Sequence, residues 1–206
     1  MRSRQSTFTG DARRAQIVEC AIETIAEVGY TQASIRKIAD RVGIAMSAVL
    51  YHFGTKDKLV DAVIEHMYRT ALAVVVPAIA AESTAAAKLN AYIRASVEYF
   101  ETNRVHLVAL TQLSAGYRPS DGRRIDEFRL NPELTAELAA LDPTSILETG
   151  QRDGEFGVFP VGSVAIALRG AVNGVVEKIL REPVFDVRGY GEDLVDVFGR
   201  VVGSQS

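Results

Sequence analysis

Apolar and polar residues alternate with the period of an α-helix along nearly the whole chain. In the first predicted helix the apolar positions recur at three- or four-residue steps: Ile17, Cys20, Ala21, Ile25 and Val28. Gly29 follows as a typical helix end. No segment keeps the strict two-residue alternation of a β-strand, and no internal repeat is present. The pattern therefore predicts an all-α protein.

Capping and breaking residues divide the rest of the chain into further helices. Ser34 is the predicted N-cap of a second helix that ends at Gly43, and a short third helix covers about 45–51. Thr55 begins a fourth helix, which Pro77 is expected to bend or end. The remaining predictions are two helices over 85–115, a loop over 114–124, a helix from Asp142–Pro143 to about Gly154, and helices over 163–181 and 190–202.

Charge is unevenly distributed between the two ends of the chain. The 206 residues carry a formal charge of -3, yet residues 1–60 have nine Lys or Arg against six Asp or Glu, a balance of +3. The other residues therefore sum to -6. A basic end on an acidic body is typical of a protein that meets a polyanion through that end. Chance clustering would give the same asymmetry.

Candidate chemistry for an enzyme is missing from the sequence. Cys20 is the only cysteine, so no disulfide or thiolate metal cluster can form within one chain, and a buried apolar role is favoured. The motifs HExxH, GxSxG, GxGxxG and the P-loop are absent. His52, His66 and His106 are scattered along the sequence. We expect no catalytic residue, no metal site and no cofactor.

The N-terminal sequence lacks the apolar region of a signal peptide. The longest apolar run, 71–81, is too short to span a membrane and contains Pro77. The sequence therefore predicts a cytoplasmic protein.

Residues 34–53 have the pattern of a helix-turn-helix, in which a glycine turn at Gly43 separates two short helices. Ile44 and Val49 are expected to pack against the first of these helices. The second would present small side chains outward, so that its backbone can approach the edges of DNA bases. An ordinary helical corner has the same pattern, and the pattern alone leaves both interpretations open.

Residues 10–59 as a whole resemble the N-terminal DNA-binding domain of TetR-type repressors. The matching residues are Ile17, Ala21, Gly29-Tyr30, Ser34-Ile35, Ile38-Ala39, Val42-Gly43-Ile44, Tyr51-His52-Phe53-Gly54-Thr55-Lys56 and Leu59. The resemblance implies about nine helices, three of them DNA-binding, and a homodimer. It predicts a helix-turn-helix DNA-binding domain over 1–54, with 1–10 as a disordered arm, and a ligand-binding and dimerisation domain over 55–206.

The candidates for DNA contact follow from the pattern and from this resemblance. They are Arg14, Ser34, Ile35, Arg36, Ala45, Met46, Ser47, Ala48, Tyr51, His52 and Lys56. Leu50 is not assigned, since many members have a tyrosine there, and Tyr51 is the alternative hydroxyl donor. Ala45, Met46 and Ala48 cannot form bidentate hydrogen bonds to bases. Thymine methyl contacts or DNA shape are therefore expected to contribute to specificity.

The resemblance also indicates where a ligand would bind. The residues at the positions of the family's cavity are Tyr92, Tyr99, Gln112, Phe128, Gln151, Arg169 and Asn173. Arg169 and Asn173 lie four residues apart on a mostly apolar predicted helix. They are interpreted as ligand contacts, as partners of neighbouring carbonyls, or as contacts across a dimer interface.

The last two predicted helices are expected to form a four-helix interface with a second copy of the chain. The candidate interface residues are Leu168, Val172, Val175, Ile179, Leu194, Val197, Phe198 and Val201. Packing of the same residues within one chain is the alternative.

These predictions together describe a ligand-responsive regulator. Its partners would be a palindromic double-stranded DNA operator, a small-molecule effector of unknown identity and a second copy of the chain. The default role in the family is repression, which ends when the effector binds. A dimeric ligand-binding or signalling protein with weak or lost DNA binding is the alternative, because Ala45 and Leu50 depart from the family pattern.

Overall fold

A computed structural model describes residues 2–119, 131–182 and 184–203, with side chains from residue 10 onward. This part of the chain contains ten α-helices, one 3-10 helix and no strand, which confirms the all-α prediction. The helices are α1 (Arg2–Val28), α2 (Ile35–Val42), α3 (Met46–Phe53), α4 (Lys56–Ala80), α5 (Ala85–Thr102), α6 (Arg104–Gly116), α7 (Pro132–Glu137), the 3-10 helix (Leu138–Leu141), α8 (Thr144–Arg152), α9 (Val161–Arg181) and α10 (Val187–Val202).

The helices form two compact units. The first unit comprises Met1–Met67 and Val105–Asn131, and the second unit comprises Tyr68–Arg104 and Pro132–Ser206. The division by packing therefore differs from the predicted boundary after residue 54. The first three turns of α4 and nearly all of α6 belong to the first unit, because both helices continue the N-terminal core.

Capping residues set the turn between α2 and α3, as predicted. The Ser34 hydroxyl accepts a 3.2 Å hydrogen bond from the backbone N–H of Lys37 and so satisfies one free donor of the first turn of α2. Gly43 ends the helix with a φ of 77°, a left-handed conformation that other residues resist. Its N–H donates to the carbonyl of Ala39. These contacts fix the corner from which α3 emerges.

The N-terminal end of α1 differs from the predicted arm over 1–10. The helix begins at Arg2, and Gly10 lies within it at a helical backbone conformation. Residues 2–9 contain no proline, so nothing in the backbone interrupts the hydrogen-bond ladder there.

Pro77 was expected to bend or end the fourth helix, and α4 continues through it to Ala80. The helix ends one turn later, where the N–H of Ala81 donates to the Pro77 carbonyl. In the described part of the chain, α4 is the one helix long and apolar enough to cross a membrane. Core helices of soluble proteins meet the same criterion.

The second unit has an apolar core built from α5, α8, α9 and α10. Its central residues include Leu89, Ile93, Leu147, Leu168 and Phe198. Asp142 starts α8 by accepting a 2.9 Å hydrogen bond from the N–H of Thr144, close to the predicted start. A Cβ on Gly150 would lie 2.1 Å from the Phe156 ring, so this glycine lets the ring pack on α8. Helix α7 and the 3-10 helix, both short, were not predicted.

Candidate functional site

Helix α3 has one buried face and one exposed face. Val49 and Phe53, one turn apart, are 0% and 4% exposed and anchor the helix in the first unit. On the other side, Met46 is 48% exposed and Tyr51 is 88% exposed. Ala45 and Ser47 are also exposed, and Ala48 is half-buried. The exposed face therefore offers small residues at its N-terminal end and an aromatic ring with a hydroxyl further along.

The first turn of α3 lacks the cap that its neighbours have. Ser34 and Thr55 each accept a hydrogen bond from a backbone N–H in the helix that follows them. Ala45 occupies the equivalent position before α3 and has no side-chain acceptor. The Ala48 N–H donates to the Ala45 carbonyl, and the N–H groups of Met46 and Ser47 before it face no side-chain cap, so an external acceptor such as a phosphate oxygen can take its place.

Arg14 holds α3 in place. Its guanidinium donates a 2.9 Å hydrogen bond to the carbonyl of His52 and lies 4.3 Å from the centroid of the Phe53 ring. A cation near the carbonyl end of a helix also favours the helix dipole. These contacts within the protein position the helix, and the predicted contact of the exposed Arg14 with DNA stays a prediction.

Lys56 makes a similar internal contact at the start of α4. Its Nζ donates a 2.8 Å hydrogen bond to the carbonyl of Tyr30 and lies 3.9 Å from the centroid of the Tyr30 ring. Burial lowers the pKa of Lys56, and the nearby carboxylate of Asp57 opposes this shift. The Tyr30 ring packs edge-on against Tyr117. Lys56 thus connects α4 to the turn after α1.

The other residues predicted to contact DNA differ in how exposed they are. Ser34 and Arg36 are exposed on α2 or its cap, whereas Ile35 and His52 are half-buried. The His52 ring packs edge-on against Tyr51. Ion pairs from Arg41 to Glu23 and Glu27 hold α2 against α1. The freely exposed candidates are therefore Ser34, Arg36, Ala45, Met46, Ser47 and Tyr51.

Comparisons with known proteins match this region and most of the chain. The sequence model for bacterial regulatory proteins of the tetR family matches residues 17–63, which include all of α2 and α3. The transcriptional regulator BetI of Burkholderia mallei is 30% identical over 140 residues, which cover 65% of this chain and 71% of BetI. The chain belongs to the TetR family. It is a DNA-binding transcriptional regulator and not an enzyme.

Solved TetR-family structures share the fold over nearly all of this regulator. A tetR-family regulatory protein from Rhodococcus RHA1 has a TM-score of 0.74 at 24% identity, over 94% of this chain and 98% of that one. The regulator FadR from Bacillus subtilis, solved in complex with stearoyl-CoA, has a TM-score of 0.69 at 21% identity, over 89% of this chain and 96% of that one.

The described residues among those predicted to bind a ligand belong to both units of this TetR-family chain. Gln112 is exposed in the first unit beside Gly29, and Phe128 lies outside the described residues. In the second unit, Tyr92 and Tyr99 are buried, and burial raises the pKa of each to about 12. Asn173 is exposed.

The two other predicted ligand residues make contacts within the second unit. Gln151 donates hydrogen bonds of 2.9 and 3.1 Å to the carbonyls of Gly157 and Phe159, which ties the connector after α8 to that helix. Arg169 forms an ion pair with Asp142. This partner is a carboxylate and not one of the neighbouring carbonyls that the sequence suggested, and a contact of Arg169 with a ligand or a second copy stays a prediction.

Three clefts in the second unit are lined by other residues. One of about 290 Å³ lies between α4, α5 and α8 and is lined by Val76, Ile79, Lys88 and Ile146, among others. A second, of about 480 Å³, follows α4 past Ala73 and Pro77. A third, of about 540 Å³, lies between α5 and α10. None of the three has a predicted ligand residue in its lining.

Most of the predicted dimer residues are packed inside the second unit. Six of them are 0–7% exposed: Leu168, Val172, Val175, Ile179, Leu194 and Phe198. Val197 and Val201 are 49% and 46% exposed. The strongly apolar faces of α9 and α10 are buried within one chain because they cover α5 and α8. The face of α9 left for another molecule carries Ile166, 65% exposed, and the exposed Gly170 and Gly174.

The sequence interpretation also missed a cluster of potential ligands in the first unit. Glu19, His66 and His106 come from α1, α4 and α6, and each places one ligand atom within 4.8 Å of the others. Burial lowers the pKa of His106, which keeps its imidazole neutral. The three residues lie 47 and 40 positions apart, a spacing that matches no local motif. Glu19 is exposed and His66 is half-buried, so no shared pattern along the sequence marks the three residues as a group.

Proposed function

We propose that this regulator is a ligand-responsive repressor, which leaves a palindromic operator when a small molecule binds its C-terminal part. Residues 1–54 would bind DNA, and residues 55–206 would bind the effector and form a homodimer in the cytoplasm. The observation that carries the proposal is the exposed face of α3, anchored by Val49 and Phe53 beneath it.

The exposed side chains of α3 determine which contacts this helix can make with DNA. Ala45 and Met46 offer only apolar contacts, which suit thymine methyl groups. Ser47 and Tyr51 offer hydroxyl groups, and the uncapped first turn of α3 offers backbone N–H groups to phosphate. Arg36 adds a positive charge. We propose that thymine methyl contacts and DNA shape carry much of the specificity, while phosphate contacts fix the position of α3 on the duplex.

A second copy of the chain would present a second α3 to the DNA. We propose that the two copies meet through the outer faces of α9 and α10, where Ile166, Val197 and Val201 are exposed. Open space beside Gly170 and Gly174 supports close approach of a partner helix. A two-fold dimer of this kind fits half-sites about 34 Å apart, one turn of the duplex.

The effector would act through α4. Two residues, Gly54 and Thr55, separate this helix from α3, and its last turns contribute Val76 and Ile79 to a cleft of the second unit. The lining is mostly apolar, so we propose an effector with a large apolar part. FadR, which has the same fold, was solved with stearoyl-CoA, a molecule of this kind. Binding would favour one position of α4 and thereby change the separation of the two α3 helices.

The decisive experiment measures binding of the full chain to DNA from its own upstream region by fluorescence anisotropy at several salt concentrations. We expect specific binding that weakens steeply with salt. Tyr51→Ala should weaken it at least tenfold, and Tyr51→Phe separates the ring from the hydroxyl. Equal binding of specific and competitor DNA at every salt concentration would refute the proposal.

Sedimentation equilibrium tests the dimer separately. We expect a dimer for the wild type and a shift toward monomer for Ile166→Glu, which places a charge on the proposed contact face. A wild-type protein that is monomeric at all concentrations used for DNA binding would refute the two-fold arrangement.

A further inference from the structure

Three side chains that the DNA-binding function does not use come together inside the first unit. The Nε2 atom of His66 lies 2.7 Å from a carboxylate oxygen of Glu19. The ring centroids of His66 and His106 are 5.8 Å apart, with one ring edge-on to the other. One potential ligand atom from each residue lies within 4.8 Å of the other two. The cluster therefore joins α1, α4 and α6 at one point.

We propose that Glu19, His66 and His106 form a binding site for a divalent transition metal ion such as Zn²⁺. The three residues would supply two imidazole nitrogens and one carboxylate oxygen, with water in the remaining position. This site is distinct from the exposed face of α3, and its existence does not depend on the proposed function.

The ligand set selects the class of metal. Ca²⁺ and Mg²⁺ prefer oxygen ligands, so two imidazoles argue against both. Imidazole and carboxylate together suit Zn²⁺, Co²⁺, Ni²⁺ and Cu²⁺. Three protein ligands with one open position are typical of zinc sites that keep a bound water.

The geometry requires only small side-chain movements. Ligand atoms around a tetrahedral zinc ion are about 3.4 Å apart, as follows from metal–ligand distances of about 2.0–2.2 Å. The observed separations, from 2.7 Å to at most 4.8 Å, bracket that value. Glu19 is exposed and can rotate to adjust its position.

His106 retains ligand capacity that the protein does not use. Its Nδ1 atom is buried and has no hydrogen-bond partner among the described residues. A buried imidazole nitrogen without a partner is uncommon, because the loss of water is then uncompensated.

The test uses the full, tag-free chain titrated with Co²⁺ and followed by visible absorption, with Zn²⁺ added afterwards as competitor. We expect one ion per chain and an absorption spectrum that Zn²⁺ abolishes. His106→Ala, His66→Ala and Glu19→Gln should each weaken Co²⁺ binding at least tenfold. Circular dichroism establishes that each variant is folded.

The chain provides its own matched control. It has three histidines, and the third, His52, lies outside the cluster. His52→Gln should therefore bind Co²⁺ as the wild type does. Equal loss of binding in His52→Gln and His106→Ala would overturn the proposal, since it would indicate nonspecific histidine binding.

A second measurement covers the case in which the histidine variants do not fold. Glu19→Gln removes an exposed carboxylate, and we expect it to stay folded. Zn²⁺ should raise the Tm of the wild type, because binding to the folded state stabilises it, and should raise that of Glu19→Gln much less. The same rise in both proteins, or no rise in either, would overturn the proposal.

Discussion

Helices α3 and α9 both bury one face and expose the other, but they are held in different ways. α3 has eight residues, buries only Val49 and Phe53, and depends on the contact that Arg14 makes at its C-terminal end. α9 has 21 residues, buries six of them along its length, and has no side-chain cap at its start. The orientation of a short helix thus rests on a few contacts at its ends, whereas that of a long helix rests on its apolar face.

The largest effect is expected from truncating the buried face of α9. Leu168 is 0% exposed in the core of the second unit, so Leu168→Ala removes apolar contacts and leaves a cavity. We expect it to lower the free energy of unfolding by about 2–5 kcal/mol. Urea unfolding at several protein concentrations measures this change.

Ile166→Ala is the matched control on the exposed face of α9. Ile166 is 65% exposed, so its truncation should lower the free energy of unfolding of the single chain by less than about 1 kcal/mol. Any further effect should depend on protein concentration, as expected for a dimer contact. A larger intramolecular loss for Ile166→Ala than for Leu168→Ala would reverse the assignment of the two faces.

The next-largest effect is expected from Gly43→Ala, at the corner before α3. Gly43 has a φ of 77°, and an added Cβ would meet no neighbour there, so the cost of Gly43→Ala is conformational. We expect a loss of about 1–2 kcal/mol. Gly199→Ala is the control, because Gly199 lies inside α10 with equally open surroundings, and there alanine should stabilise by about 0.5–1 kcal/mol. Thermal unfolding should show Tm shifts of opposite sign, and shifts of the same sign would contradict this account.

Arg14→Gln tests whether the end contact of α3 is structural. We expect a loss of about 1 kcal/mol, from the hydrogen bond to the His52 carbonyl and the cation–π contact with Phe53. DNA affinity should fall without a change in its salt dependence, because no phosphate contact is removed. A salt slope reduced by about one would instead show that Arg14 contacts a phosphate. Arg13→Gln is the comparison, since Arg13 is exposed and donates a hydrogen bond to Gln16 of the same helix.

The smallest effect is expected from Gly10→Ala in the long helix α1. Gly10 lies within α1 with no atom near the position of an added Cβ. Gly10→Ala should therefore stabilise the protein by about 0.5–1 kcal/mol and increase its helix content slightly, measured by circular dichroism. No change in either quantity would indicate that residues before Gly10 contribute no helix to the folded protein.

The sequence predicted those parts of the fold that depend on local chemistry. The cap at Ser34, the left-handed turn at Gly43 and the start of α8 near Asp142 each depend on residues within a few positions. The resemblance over 10–59 added the family and its DNA-binding role, which the comparisons confirm.

The remaining features depend on contacts between residues distant in sequence. The apolar stripe of α9 suits a core and an interface equally, and only the packing of α5 and α8 against it decides between them. Arg169 meets Asp142 across 27 positions, and His66 meets Glu19 and His106 across 47 and 40. Periodicity along one helix carries no information about such partners.

The proline in α4 has a chemical consequence for the cleft beside it. Pro77 lacks an N–H, so the carbonyl oxygen of Ala73, four residues earlier, is deprived of its usual helical donor. Both residues line the 480 Å³ cleft, whose surface is otherwise mostly carbon. A hydroxyl or amide group on a molecule bound in this cleft would supply the kind of donor that Pro77 lacks.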